Sequence, residues 1–157
     1  MSEKPFHIGV VSDTHGLMRP EVLTALAGSD LIIHGGDVGS PDVLDALRGI
    51  APTYAVRGNV DTDTWGRTLP ITQVVTVGDR LFYVLHQRDH LSLNPVAAGF
   101  SAVIFGHSHR ASAELKNGVL FLNPGAAGPR RFRLPVSIAR IEVQGAELTW
   151  EIVELDI

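Results

Sequence analysis

The chain of 157 residues contains no cysteine. Disulfide bonds and thiolate metal sites are therefore excluded, and any bound metal must be held by nitrogen and oxygen ligands. Long apolar runs are also lacking. Met1-Ser2-Glu3-Lys4-Pro5 leads into only a short apolar stretch, too short for a secretory leader or a spanning helix. A cytoplasmic location is the expectation, with no membrane partner. Aromatic residues make up 6%, and the formal net charge is -4. No broad basic stripe and no interleaved aromatic platform is available, so nucleic acid is not an expected partner. The mild negative charge does not exclude an anionic substrate, because bound cations reverse the local sign. Internal repeats, low-complexity tracts and interdomain linkers are absent too. With 45% hydrophobic residues, residues 1–157 are expected to form one domain around one core.

Phe6 to Val11 reads as a buried strand, Asp30 to His34 is a second apolar run, and Thr53 to Val56 reads as a third strand. Between them lie helical patterns. Arg19 to Ala27 carries Val22, Leu23, Leu26 and Ala27 at helical spacing. Ser40-Pro41-Asp42 reads as an N-cap with proline at the first helical position, and Val43, Leu44 and Leu47 form its apolar face. This alternation predicts an α/β fold with a parallel sheet. The second half predicts strand pairs. Ile71 to Val77 turns through Gly78-Asp79 into Leu81 to Leu85. Ala111 to Lys116 turns through Asn117-Gly118 into Val119 to Leu122, and Val136 to Val143 pairs with Glu147 to Val153. Ala102 to Phe105 reads as a buried strand, Leu91 to Ala98 as a short helix, and the Gly-, Pro- and Arg-rich segment Gly125 to Leu134 as a surface loop.

The polar residues fall just past these strands. Asp13 and His15 follow the first strand, Asp37 the second and Asn59 the third. His86 follows Leu85, and His107 and His109 follow Phe105. In open α/β sheets, that edge is where ligands bind. Each residue alone admits an ordinary structural role; seven ligand-type residues after five strands point jointly to metal. Two divalent cations roughly 3.5–4 Å apart clamp the attacking and leaving oxygens of an in-line displacement. Asp37 is the candidate bridging carboxylate. With Asp13 and Asp37 ionised, the local excess is about +2 (+4 minus 2), which draws a phosphate ester and acidifies a bridging water.

Asp13-Thr14-His15, Gly36-Asp37, Gly58-Asn59, His86 and Gly106-His107-Ser108-His109 resemble the signature of calcineurin-like metallophosphoesterases. Arg57-Gly58-Asn59-Val60-Asp61 and Asn123-Pro124-Gly125 resemble the small bacterial and archaeal phosphodiesterase branch. The resemblance implies a sandwich of two mixed β-sheets flanked by α-helices. It also implies a hydrolase that attacks a phosphodiester, or a phosphomonoester, with a metal-bridging hydroxide. Asp13, His15, Asp37 and His109 would hold one cation, and Asp37, Asn59, His86 and His107 the other. Manganese leads the expected ions, with nickel, iron, cobalt, zinc and magnesium also compatible with this ligand set. Asp37, Asn59 and His107 are the expected catalytic residues, and Asn59, Arg88 and Arg130 the candidates for touching a small phosphate-ester substrate. A homodimer or higher homo-oligomer stays open. The alternative is a non-catalytic protein-binding scaffold of the same fold, which ligand completeness argues against.

The sequence departs from the family pattern in three places. Val60 stands where many members carry a histidine that assists the leaving group, although the small branch commonly lacks it. Gln87 stands after His86 where glycine is frequent, and Ala126 where serine is frequent. Among the remaining polar residues, His34 is expected either to orient a ligand or to be a satisfied buried histidine. His90 is expected at the surface, and Asp61 and Asp63 either support the ligands from behind or, the preferred reading, act as caps or solvated groups. Arg130, Arg131 and Arg133 form a short basic cluster on the loop, and Trp65 either covers the cleft or packs in an interface. His7, at the far end of its strand, is given no role.

Overall fold

The near-continuous apolar runs of the first half become three short parallel strands, of which the first two are buried on both faces and the third, with Tyr54 exposed, forms the sheet edge. The computed structural model describes residues 4–157. It places β1 at Phe6–Val11, β2 at Leu31–His34 and β3 at Thr53–Ala55, with Ile8 opposite Leu31 and Ile32 opposite Thr53. The crossovers carry α1 (Pro20–Leu26) and α2 (Pro41–Arg48), each with proline in its first turn. Proline is tolerated there because that N–H has no intrahelical partner anyway. Ser40 takes the N-cap position of α2, but its side chain makes no capping bond.

The second half forms the predicted hairpins. β4 (Thr72–Val77) pairs antiparallel with β5 (Arg80–Leu85). β6 (Phe100–Ile104) runs parallel to both β5 and β8 (Val119–Asn123), and β7 (Ser112–Lys116) returns antiparallel to β8. Asn117 and Gly118 both have positive φ, 51° and 81°, as a two-residue turn matched to strand twist requires. β9 (Val136–Gln144) and β10 (Glu147–Leu155) add to the first sheet, β9 antiparallel to β1. The two five-stranded sheets run β10-β9-β1-β2-β3 and β4-β5-β6-β8-β7. Both are mixed, and together they form the expected sandwich.

Ile8, Val10 and Ile33 meet Phe82, Val84, Ile104 and Leu122 between the sheets. Fully burying a side chain of this size contributes roughly 1.5–3 kcal/mol. The helices cover only the first sheet's outer face, where Val22, Leu26, Val43, Leu44 and Leu47 pack on Val11, Ile32 and Ile138. Trp65, expected over the cleft or in an interface, instead packs against this intramolecular cluster. The helix expected over Leu91 to Ala98 does not form. The Asn94 side chain accepts the N–H groups of Val96 and Ala97 at 3.1 and 3.2 Å, and Gly99 at φ 81° ends the turn. Asn94 thus caps a single turn, closed by Ala98 N–H to Asn94 O at 3.0 Å, and the left-handed Gly99 stops it from extending. Leu91, Leu93 and Phe100 still cover Tyr83, Leu85, Val103 and Phe121 on the second sheet's outer face.

Candidate metal centre

β1, β2 and β3 are parallel, so their C-terminal ends open on one edge, and β5 and β6 end beside them. Backbone bonds lock the connecting loops together. Asp13 N–H donates to Gly36 O at 3.0 Å, His15 N–H to Asp37 O at 3.0 Å, and Gly106 N–H to His86 O at 3.0 Å. The last of these ties the two histidine loops of the second sheet. At Gly58 the backbone passes so close to Asp37 that a Cβ would strike its backbone N and Oδ1.

All seven expected ligands converge. Asp13 Oδ1 lies 3.4 Å from His109 Nε2 and 3.9 Å from both His15 Nε2 and His86 Nε2. Asp37 Oδ2 lies 3.2 Å from His86 Nε2 and 3.7 Å from His15 Nε2. The Nε2 atoms of His15 and His109 are 3.3 Å apart. Asn59 Oδ1 sits 3.0 Å from His86 Nε2 and 3.2 Å from His107 Nδ1. Two groupings of ligand atoms result, Asp13–His15–His109 and Asp13–Asp37–His86, each within 4.8 Å internally. Asp13 is common to both, while Asp37 reaches His15 as well as His86.

This donor set fits divalent cations. Ligand atoms bound at roughly 2.0–2.2 Å to one ion stand about 3–4 Å from each other, the spacing seen here. Asp13 Oδ1 is buried without a hydrogen-bond partner, and so is His109 Nδ1. A carboxylate oxygen left unpaired among three imidazole nitrogens is costly unless a cation completes it. The other oxygen of each carboxylate is engaged by protein. Asp13 Oδ2 accepts from Ser12 Oγ–H at 2.7 Å and His107 N–H at 3.1 Å, and Asp37 Oδ1 accepts Val60 N–H at 3.0 Å. His86 Nδ1–H donates to Gly35 O at 2.8 Å, which turns the Nε2 lone pair towards the site, the usual arrangement for a metal-binding imidazole.

Burial raises the Asp13 carboxyl above its ordinary range, against the lowering effect of Ser12 and of His86 and His109. Burial pushes Asp37 the same way. There the His86 and Val60 hydrogen bonds and the nearby imidazoles win, and its pKa is lowered. His86 is lowered by burial but raised on balance by Asp37 and Asp13. His109 is lowered by burial, with Arg131 and His15 adding to the effect. Backbone strain is concentrated here as well. Of the seven described non-glycine residues with positive φ, five are Asp13, His15, Asp37, His107 and His109. Such conformations persist only where surrounding bonds enforce them, and they cluster at functional sites.

His34 is fully buried and does not enter the cluster. Thr14 Oγ1–H donates to Val38 O at 2.8 Å, so Thr14 accepts from His34 Nε2–H at 3.0 Å, and His34 Nδ1 accepts Gly36 N–H at 3.1 Å. It is a neutral, satisfied imidazole that braces the Thr14 and Gly36 loops. Two further bracing residues are not apparent from ligand spacing. Asp61 accepts N–H groups from Val38 (3.1 Å), Gly39 (2.9 Å) and Gly58 (2.9 Å), clamping the Asp37 loop to the Asn59 loop. Asn123 Nδ2 donates to Gly106 O at 3.1 Å and Ser108 Oγ at 3.2 Å, supporting the His107–His109 loop. Both lie in the Gly-Asn-Val-Asp and Asn-Pro-Gly stretches that carried the resemblance, which is the signal that marks them. Asp63 caps a turn through Gly66 N–H at 2.7 Å.

The substrate candidates are less uniform. Asn59 and His107 are exposed at the rim. Arg88 lines a cavity of about 470 Å³ with His107 and Ser108. Its guanidinium pairs with Glu114 at 3.2 Å and lies 4.4 Å from the Phe121 ring centroid. Arg130 is turned to its own loop, donating to Leu134 O at 3.3 Å; Arg131 is the member of the cluster whose charge acts on His109. The Val60 side chain is 44% exposed and offers no proton.

The calcineurin-like phosphoesterase superfamily domain, as a family model, matches residues 6–146. A probable metallophosphoesterase of Methanocaldococcus jannaschii is 33% identical over 151 residues, covering 87% of this chain and 76% of that protein. A probable metallophosphoesterase of Methanothermobacter thermautotrophicus is 30% identical over 93% of this chain and 91% of its own. Among solved structures, Vacuolar Protein Sorting 29 from Cryptosporidium parvum aligns with a TM-score of 0.83 at 20% identity, covering 98% of this chain and 93% of that one. At that identity the likeness shows the fold alone.

Proposed function

Because the chain belongs to the calcineurin-like phosphoesterase superfamily, we propose that it is a phosphoesterase that hydrolyses phosphodiester bonds at two divalent cations. The single observation that carries this is the unpartnered Asp13 Oδ1, buried among the Nε2 atoms of His15, His86 and His109. Asp13, His15, Asp37 and His109 would hold one cation, and Asp37, Asn59, His86 and His107 the other. When bound, the pair supplies Lewis-acid charge and lowers the pKa of a water for in-line attack. Manganese is the ion we favour.

The chain's own groups do the rest. Asp37, with one oxygen fixed by Val60 N–H and the other facing His86 and His15, is placed to join the two halves of the site. The Asn59 amide and the His107 ring stand at the exposed rim, where they meet an incoming phosphoryl group. The imidazoles add affinity without cancelling cation charge, so the site attracts an anionic ester. With Val60 in place of a proton donor, a diester monoanion is the preferred substrate over a monoester.

A panel of phosphate mono- and diesters, assayed across manganese, nickel, cobalt, zinc and magnesium, tests this reading. Metal-loaded protein should cleave diesters. Asp37→Ala and His107→Ala should each lower the rate by about 10³-fold or more, beyond the 10–100-fold cost of disturbing an outer hydrogen bond. If loaded protein cleaves neither class, the non-catalytic scaffold takes this reading's place.

A further inference from the structure

The site as drawn lacks a proton donor for the departing alcohol. Beside it lies a cleft of about 290 Å³, lined among others by Asn59, Ile71, Thr72, His86, Gln87 and His90. Its volume sits at the lower edge of the roughly 300–1,000 Å³ typical of ligand pockets, enough for a phosphoryl group and a small substituent. Asn59 and His86 belong to both the cleft and the metal centre, so a substituent leaving a phosphorus held there can enter this cleft directly. Ile71, 66% exposed, gives it one apolar wall.

Few lining groups can yield a proton. Arg57 also borders the cleft, but its guanidinium is spent on Leu69 O at 3.2 and 3.0 Å and Arg67 O at 2.6 Å. Thr72 and Gln87 donate hydrogen bonds but do not give up protons near neutral pH. His86 is committed through Nδ1 to Gly35 and through Nε2 to the site. That leaves His90, which is exposed. No hydrogen bond or ion pair among the described residues engages its ring. Its backbone is fixed by a short 3₁₀ turn, His90 N–H to Gln87 O at 3.1 Å and Leu91 N–H to Arg88 O at 3.0 Å.

We propose that this cleft receives the leaving group and that His90 is the catalytic acid that protonates it, in place of the donor missing at Val60. The proposal rests on the phosphodiesterase reading above. In the step, the new P–O bond to the attacking oxygen forms as the P–O bond to the substituent breaks. The electron pair of the broken bond stays on the substituent oxygen, which takes the His90 proton and leaves as a neutral alcohol. The imidazole is left neutral and is reprotonated from solvent. Because the cleft is small and partly apolar, it favours short or flat uncharged substituents over polymeric ones.

The test compares wild type with His90→Gln on methyl phenyl phosphate and methyl p-nitrophenyl phosphate. General acid catalysis contributes about 10²–10⁴-fold, and only to a leaving oxygen basic enough to need it. His90→Gln should lower kcat by about 100-fold on the phenyl ester and only a few-fold on the nitrophenyl ester. The bound metal, counted by plasma emission, should not change. Independently, the His90 imidazole resonance of wild type loaded with diamagnetic zinc, identified by its loss in His90→Gln, should shift on adding dimethyl phosphate, an ester too inert to turn over during the measurement. An equal loss on both esters, no loss on either, or an unmoved resonance would overturn the assignment while leaving the phosphodiesterase reading intact. If the wild type cleaves neither ester, that reading fails and this one with it.

Discussion

His34 is the buried residue whose chemistry reaches the site only through its neighbours. Full burial holds its pKa at about 3 against 6.5 for a free imidazole, with the His86 charge adding to the effect. The folded chain therefore keeps His34 neutral at pH values where the unfolded chain protonates it. Its stabilising contribution is complete above pH 6.5 and is lost as pH falls from there towards 3. At pH 5 the loss is about 2 kcal/mol, from 1.5 pH units at roughly 1.4 kcal/mol each. Urea unfolding of metal-free protein at pH 7.5 and pH 5 should show this extra loss in wild type and not in His34→Gln, which has nothing to titrate. Equal pH dependence in the two proteins would refute it. At this scale the meeting of the seven side chains at one sheet edge was legible in the sequence, because strand-end spacing places them there. The donor direction at Thr14 that settles the His34 tautomer was not, since it depends on where Val38 O lies across the loop.

Among the elements, the loops after β2 and β3 depend on each other through Asp61. Three N–H groups from two loops converge on one carboxylate that is 2% exposed. Leaving buried donors unpaired costs about 1–3 kcal/mol each. Asp61→Ala should therefore lower stability by about 2–4 kcal/mol in chemical denaturation. It should also weaken cation binding by about 10–100-fold in calorimetric titration, as outer hydrogen-bond partners of metal ligands do. A loss of stability with unchanged cation affinity would show that the clamp holds the fold but not the site. Strands and hairpins followed from apolar runs and from Asn117-Gly118, where local rules decide. The segment Leu91 to Ala98 went the other way, because the single turn that Asn94 caps is stopped by the left-handed Gly99 before a helix can extend. In sequence Asp61 reads as a cap before it reads as a support for the ligands, and only the meeting of two loops gives it three partners.

Across the whole molecule, β1–β3 with the C-terminal pair β9 and β10 build one sheet and β4–β8 the other, and the site lies where their edges meet. Asp13, His15, Asp37 and Asn59 come from the first sheet, and His86, His107 and His109 from the second. No described helix is long and apolar enough to cross a membrane. The sandwich followed from family resemblance, whereas strand count alone left the stacking of the sheets open. Helices on one face only is a feature the sequence did not disclose, since a covering loop and a covering helix both present leucines. The central claim is that these seven side chains hold two cations with Asp37 between them. Anomalous diffraction from crystals grown with manganese tests it most directly. Two peaks should appear, one against Asp13, His15 and His109, the other against Asn59, His86 and His107, with the Asp37 carboxylate touching both. A single peak, or none at these residues, would contradict the account.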